Sequence, residues 1–173
     1  IVYTDCTNLY GKAMCMALPL DNFAWMTDEE LSTFSPERDI TADGDTGYFF
    51  EVDLEYPEEL HHLHNSFPLA AQSLQLTEAD LSPSSYSCLG KISGKKKYTA
   101  KKLTATFHPR TRYLCHGLNL QLYLSLGLRL VRIHRGIKFR QAAFIRPYIE
   151  MCTARRRTAP TEALRNMYKL LCN

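Results

Sequence analysis

Charge is segregated along this chain more sharply than any other property. Residues 1–80 carry 16 acidic and 2 basic side chains, whereas residues 81–173 carry 19 basic and 2 acidic ones. The net charges of the two segments are therefore −14 and +17. Either the two segments neutralise each other within one fold, or the basic segment faces a polyanion such as a phosphate backbone. Composition alone leaves both alternatives open.

The remaining composition is that of a globular protein. Hydrophobic residues make up 45% of the 173 positions, enough for a core. No apolar segment approaches the roughly 20 residues that span a bilayer, so we expect no membrane partner. The six cysteines lack a CxxC pair and zinc-ligand spacing, and we interpret them as reduced thiols of an intracellular protein whose compartment is left open. The chain begins within a strand-like segment without Met, which indicates a fragment.

Turn signals and hydrophobic periodicity divide the chain into four segments. Residues 1–16 contain an apolar strand, a turn and a short helix, and residues 17–113 form a turn-rich region with a strand at 47–54. Residues 114–141 contain a helix and a strand, and residues 142–173 contain two helices, the second beginning near Pro160. The predicted fold class is α+β.

The segment at 114–141 gives conflicting signals. Leucine occupies every even position from Leu118 to Leu130, which by periodicity predicts a half-buried strand. Such a strand would be long, and Gly127 would interrupt it. We predict instead a helix over 117–126 closed by Gly127 and a strand over 128–134, a choice that depends on the family resemblance described below.

A carboxylate stands at the end of the first apolar strand. Asp5 follows Ile1-Val2-Tyr3 directly, within the string Asp5-Cys6-Thr7-Asn8-Leu9-Tyr10-Gly11. Phosphoryl transfer requires carboxylates that hold Mg²⁺, because its catalysis consists of positioning and charge neutralisation. An isolated aspartate at the end of a strand is more often a turn residue or a helix cap.

The longer string YTDCTNLYGKAM resembles motif A of family B DNA polymerases, Asp-x-x-Ser-Leu-Tyr-Pro, and is closest to its protein-primed members. The resemblance continues in order through GYFFEVDLEYPEELHHLHNSFPLA, KKKY, NLQLYLSLGLRLVRIHRGIKFRQ and FIRPYIE. At the end of the chain, Lys169-Leu170-Leu171-Cys172-Asn173 resembles the opening of motif B, Lys-x-x-x-Asn-Ser-x-Tyr-Gly. The rest of motif B and the motif with the second metal-binding aspartate do not follow. Lys12 departs from the family, which commonly has Trp there.

The resemblance assigns roles to residues near both ends of the chain. Asp5 would be the catalytic metal ligand, and the backbone carbonyl of Cys6 would bind the nucleotide-associated ion, one of two Mg²⁺ ions. Tyr10 would stack under the incoming sugar and exclude a 2′-hydroxyl, and Lys169 would contact the phosphates. The remaining nucleotide contacts implied by the resemblance are Asn8, Leu9, Arg157, Arg165 and Asn173.

The same resemblance implies an architecture and an activity. Residues 1–16 and 114–141 would form part of a polymerase palm sheet, residues 17–113 an inserted α+β lobe resembling the terminal-protein region, and residues 142–173 the start of the helical fingers. The reaction would transfer deoxynucleotides to a 3′-hydroxyl, with template and primer DNA, a deoxynucleoside triphosphate and a terminal priming protein as partners. With one of two metal-binding carboxylates, the fragment alone is expected to be inactive. The alternative is a non-catalytic nucleic-acid-binding relic of such a polymerase.

Three further clusters have both a functional and a structural interpretation. His61, His62 and His64 are more often surface-helix residues than metal ligands at this spacing. The Asp43-Gly44-Asp45 string is more often a turn than a calcium loop. The lysine run, which lies within a predicted loop or hairpin arm at 90–102, is either solvated or in contact with DNA and the priming protein. Its members are Lys95, Lys96 and Lys97.

Overall fold

The structure is a computed structural model that describes Thr4 and residues 8–77, 80–93 and 101–172. Its helices are α1 (Leu9–Met14), α2 (Asp28–Thr33), α3 (Pro36–Asp39), α4 (Glu58–His61), α5 (Pro83–Ser93), α6 (Gly117–Ser125), α7 (Arg146–Thr158) and α8 (Glu162–Leu170). Its strands are β1 (Leu18–Trp25), β2 (Thr46–Glu55), β3 (Gln72–Leu74), β4 (Lys102–Thr104), β5 (Arg110–His116) and β6 (Arg129–Ala142). Helices thus combine with a curled antiparallel sheet, which confirms the prediction that helices and strands are mixed.

The larger sheet has four strands in the order β1-β6-β2-β5, and β3 pairs with β4 in a separate two-stranded sheet. Strand β1 runs antiparallel to β6, with Leu18 opposite Ala142, and the register shifts on both sides of Asp21. At this irregularity Asn22 has a φ of 56°. Irregularities of this kind redirect side chains and increase strand twist, which is consistent with the curl of the sheet.

The chain forms two compact units. The first comprises Ile1–Phe49, His116–Leu118 and Arg135–Asn173, and the second comprises Phe50–Cys115 and Asn119–His134. The segment that the sequence assigns to an inserted lobe, 17–113, is therefore divided between the two units.

In the first unit, a small apolar cluster holds α1, α7 and α8 together. Its members are Ile149, Cys152 and Cys172, with Met14, Cys15 and Ile145 packed against them. The Arg146 Nε donates a 3.0 Å hydrogen bond to the carbonyl of Cys15, directly after α1. Burial and this bond fix the short helix α1 against α7.

In the first unit, the strands of the four-stranded sheet have an aromatic face and a charged face. Phe139 of β6 is buried, and the rings of Phe23 and Phe49 lie 5.6 and 5.2 Å from it. Alternation along β6 directs its neighbours to the other face, where Lys138 pairs with Glu30 and Arg140 pairs with Asp21. Gly47 is required beneath Phe139, because a Cβ there would lie 2.3 Å from the ring.

The second unit is organised around alternate residues of β2 and a buried arginine. Phe50, Val52 and Leu54 point into its core. The side chain of Arg110 is almost fully buried and donates hydrogen bonds to the Ala70, Leu69 and Thr106 carbonyls at 2.7, 3.2 and 2.7 Å. A further acceptor is the carbonyl of His108. These bonds hold two irregular segments against β5.

Most segment predictions are confirmed. Helix α6 ends before Gly127, whose φ is 100°, and β6 follows, although it extends to Ala142 rather than ending at residue 134. The predicted strand at 47–54 corresponds to β2, and the two C-terminal helices are α7 and α8.

The predicted loop or hairpin arm over 90–102 is wrong at its start, because α5 continues to Ser93, and residues 94–100 lie outside the described part of the chain. The predicted strand at the beginning of the chain lies outside the described residues, apart from Thr4. Within the described part of the chain, no helix has both the length and the apolar character required to cross a bilayer.

Candidate functional site

The site begins at Asn8, the residue before α1. Its backbone is left-handed, with φ 58° and ψ 44°, a conformation that asparagine adopts more readily than most residues. The Asn8 side chain makes no helix-capping hydrogen bond. It lies instead over Gly11, where a Cβ would come within 2.4 Å of its Nδ2 atom. A side chain at position 11 would therefore displace the Asn8 amide from this position.

Helix α7 supplies the main positive charge of the site. Its last turn contains Arg155, Arg156 and Arg157, where cations interact favourably with the helix dipole. Arg156 lies one helical turn after the buried Cys152, on the side of α7 that packs against α1 and the end of α8. The helix ends at Thr158, since Ala159 is extended and Pro160 follows.

Helix α8 brings in a third guanidinium from the opposite side. Its start is fixed by Thr161, whose hydroxyl accepts a 3.3 Å hydrogen bond from the Leu164 N–H. One turn into the helix, Arg165 lies 3.9 Å from Glu162, and both side chains are largely exposed. An exposed pair at this distance contributes little, so Arg165 remains available to a ligand.

These elements enclose a cavity of about 390 Å³. Its lining residues are Asn8, Thr153, Arg156, Arg157, Arg165 and Cys172. Of the residues implied as nucleotide contacts, Asn8, Arg157 and Arg165 therefore meet at one cavity, although about 150 residues separate the first from the others. A second cavity of about 380 Å³ shares Asn8, Thr153 and Arg157 with the first.

The cavity is suited to an anion with several oxygens. None of the described residues that line it is a carboxylate, whereas three are arginines. Guanidinium groups bind phosphate and carboxylate oxygens in a bidentate manner. Burial raises the pKa of the Cys172 thiol, so this residue adds no negative charge at neutral pH. Asn8 and Thr153 provide neutral hydrogen-bonding groups beside the cations.

Other predicted nucleotide contacts do not line this cavity. Leu9 and Tyr10 lie on α1 with 57% and 72% of their surfaces exposed. Lys169 is exposed on α8, one turn after Arg165. The remaining predicted site residues lie outside the described part of the chain; these are Asp5, Cys6, Lys95, Lys96, Lys97 and Asn173.

Sequence reasoning missed two residues of the first cavity and one of the second. Those of the first cavity are Arg156 and Thr153, which lie four residues after the apolar positions Cys152 and Ile149 of α7 and could have been found from the helical period. Lys12, which the sequence marks as a departure from the family, lines the second cavity. Glu150 lines the same cavity, so its carboxylate opposes part of the positive charge of Lys12 and Arg157.

The histidine cluster has structural contacts. The His61 ring stacks on Phe107 at a centroid distance of 4.4 Å, and His64 Nδ1 lies 2.7 Å from the Tyr56 hydroxyl. Across the described residues, no group of three or more His, Cys, Asp or Glu side chains is placed to hold a metal ion. The Mg²⁺ ligands implied by the resemblance, Asp5 and the Cys6 carbonyl, lie outside the described residues.

Comparison with known proteins adds no relative: the chain matches no protein-family model, no curated protein and no solved structure. The family B resemblance therefore remains a prediction from the motifs, and the cavity stands on its own geometry.

Proposed function

We propose that this chain is the nucleotide-binding part of a protein-primed, family B DNA-directed DNA polymerase. The observation that carries the proposal is the meeting of Asn8, from the first motif, with Arg157 and Arg165, near the second motif, around one cavity. An anion site between the two motifs is what the family resemblance implies.

The chemistry of the cavity fits the triphosphate of an incoming nucleotide. A triphosphate presents several charged oxygens, and three guanidinium groups from two helices can contact them from different sides. Such positioning is the larger part of catalysis in phosphoryl transfer, because the protein itself does little covalent chemistry. Lys169, one helical turn after Arg165, extends the same positive face of α8.

With the triphosphate in this cavity, the remaining residues that the resemblance implicates would contact the sugar and the metal ions. Tyr10 is largely exposed on α1, where its ring is accessible to a sugar. In this proposal Asp5 and the Cys6 carbonyl would hold Mg²⁺, which would supply charge neutralisation at the reacting phosphate. The transferred group would be a deoxynucleoside monophosphate, and the acceptor a 3′-hydroxyl or a protein hydroxyl.

Equilibrium binding of a fluorescent deoxynucleoside triphosphate to the full chain tests the proposal. Replacing Arg157 by glutamine should weaken binding about tenfold, since one charge-assisted contact is lost. The matched control is Arg155→Gln, which makes the same change two residues earlier, at a position that does not line the cavity. Equal effects of the two substitutions, or no triphosphate binding by the parent chain, would overturn the proposal.

A second candidate, a nucleic-acid-binding relic, is favoured by the exposure of Arg155 beside the cavity arginines. A phosphate backbone contacts exposed cations without selecting one cavity. Single-stranded DNA binding that depends equally on Arg155 and Arg157, with no triphosphate binding, would support this candidate. Preferential loss with Arg157→Gln would exclude it.

A further inference from the structure

A hydroxyl stands directly after the arginine run of α7. The string is Arg155-Arg156-Arg157-Thr158-Ala159-Pro160. Thr158 is the last residue of α7, and its side chain is exposed. Its hydroxyl donates to the carbonyls of Ala154 and Arg155 at 3.4 Å in both cases, which is long for an O–H···O hydrogen bond. The hydroxyl is thus weakly held and open to solvent.

We propose that Thr158 is a phosphorylation site for an arginine-directed serine/threonine kinase, and that its phosphate closes the adjacent arginine cavity to anionic ligands. Kinases discriminate among substrates by charge patterns around the acceptor residue. Here Arg155 and Arg156 lie three and two residues before the acceptor, and Arg157 immediately precedes it. A carboxylate-lined kinase groove is complementary to this run. The regulatory part of the proposal rests on the proposed function; the acceptor site does not.

The end of α7 can be presented to a kinase at low cost. The last carbonyls of a helix lack intrahelical partners, so the final turn opens more easily than the interior. Ala159 is already extended, and Pro160 prevents the helix from continuing. The residues that anchor α7, Ile149 and Cys152, lie earlier in the helix. Among residues 155–159, Ala159 alone is buried and Arg156 is half-buried, so opening the last turn exposes little apolar surface.

The transfer is an ordinary phosphoryl transfer with ATP as the donor. The Thr158 Oγ attacks the γ-phosphorus, and the bond from that phosphorus to the β,γ-bridging oxygen breaks. ADP leaves with the bonding electrons, and the hydroxyl proton passes to the general base of the kinase. The product carries close to two additional negative charges at neutral pH.

The phosphate would change the electrostatics of the cavity. Arg157 is its immediate neighbour in sequence, and Arg155 lies one helical turn before it. A phosphate at a helix C-terminus is unfavourable on its own and gains stability by drawing nearby guanidinium groups to itself. Arg156 and Arg157 line the cavity, so recruiting them removes positive charge from a ligand. A bound triphosphate would in turn compete with the Thr158 phosphate for Arg156 and Arg157.

The acceptor is tested by treating the full chain with an arginine-directed kinase catalytic domain and ATP, then mapping the phosphate by mass spectrometry. We expect one phosphate, at Thr158, and none in Thr158→Val, which keeps the branched shape. Thr99 and Thr104 each follow a Lys-Lys-x sequence and serve as internal competitors. Phosphate confined to those residues, or no incorporation, would overturn the acceptor assignment.

The consequence is tested by comparing the affinity of modified and unmodified chain for inorganic tripolyphosphate and a deoxynucleoside triphosphate. Phosphorylation should weaken both about tenfold at low salt, and the difference should shrink at about 0.5 M salt, where screening is strong. Arg155→Gln should slow phosphorylation on the order of tenfold without changing tripolyphosphate affinity. Stoichiometric phosphate at Thr158 with unchanged affinity would overturn the regulation.

If the unmodified chain binds neither anion while Thr158 still accepts phosphate, the proposed function and the regulation both fail and the acceptor site stands.

Discussion

Two groups of arginines in this protein have the same side chain and opposite environments. In the second unit, Arg110 is almost fully buried, and backbone carbonyls surround its guanidinium. In the first unit, Arg156, Arg157 and Arg165 line a cavity whose described residues include no carboxylate. The comparison teaches that the partners of an arginine, rather than its presence in a basic segment, determine whether it stabilises the fold or is available to a ligand.

The distinction has a physical cause. Burial disfavours the charged form of Arg110 and lowers its pKa, so the fold must supply several acceptors to compensate. The carbonyls of Ala70 and Leu69 perform this function. At the cavity, by contrast, the lining residues beside the arginines are neutral groups such as Asn8 and Thr153, and the one ion pair, between Arg165 and Glu162, is long and exposed, so much of the positive charge is left uncompensated among the described residues. That charge can be compensated by an anion.

Arg110→Met should lower the free energy of unfolding more than any other substitution proposed for this protein. A small loss would contradict the distinction between the buried and the cavity arginines. The substitution keeps much of the apolar stem but leaves buried carbonyls without a donor, so we expect about 3 kcal/mol lower unfolding free energy. Urea denaturation measures it. Arg155→Met, on an exposed helix turn, is the control and should change stability by less than about 0.5 kcal/mol. A loss for Arg110→Met as small as that of the control would contradict the structural role.

The double substitution Arg157→Gln with Arg165→Gln tests whether the two cavity arginines contact the same ligand. Each single change should weaken triphosphate binding about tenfold, and the double change should fall short of a hundredfold, because both groups contact one ligand. Isothermal titration of the four chains gives the coupling. If the binding free energies lost in the two single variants add up to the loss in the double variant, the two arginines bind separate ligands. If the substitutions lower the free energy of unfolding in urea as much as they lower the binding free energy, the two arginines are structural.

The sequence anticipated elements whose signals are local. Gly127 predicts the end of α6, and Pro160 predicts the start of α8, which begins two residues later at Glu162. The string Leu81-Ser82-Pro83-Ser84-Ser85 is a turn signal by composition. However, Ser82 before Pro83 is also a typical helix start, and its hydroxyl accepts a 3.1 Å hydrogen bond from the Ser85 N–H. There the two signals compete, and the helix prevails.

Features that depend on distant residues were not predictable in the same way. The acceptors of Arg110 include the Ala70 carbonyl, 40 residues away, and every residue has a carbonyl, so no side-chain pattern identifies this contact. Gly47 is required by Phe139, which reaches it only through strand pairing. At the candidate site, the motif resemblance predicted Asn8, Arg157 and Arg165. Arg156 and Thr153 are identified only in the structure, where the packing of α7 places them at the cavity.

The smallest expected effect concerns His116, a second group whose partners are internal. Its ring contacts Phe49 at a centroid distance of 5.1 Å, and its Nδ1 accepts a 3.1 Å hydrogen bond from the Leu118 N–H. Burial lowers the pKa of the imidazole below its usual 6.5. The unfolded chain therefore binds this proton more readily, so the stability contributed by neutral His116 is present above about pH 6.5 and is lost as pH falls toward the folded pKa.

Urea unfolding at a series of pH values between about 7 and 5 measures this loss. His116→Gln keeps an acceptor for the Leu118 N–H but cannot titrate, so it should reduce the slope of stability against pH in that window. The cavity arginines keep their charge throughout the window, because guanidinium groups do not lose a proton there. Triphosphate affinity should therefore respond much less to His116→Gln than the unfolding free energy does. An unchanged slope of stability against pH in His116→Gln would show that the imidazole has the same pKa in the folded and unfolded chain. His116 would then not be a group, like Arg110, whose protonation is altered by burial.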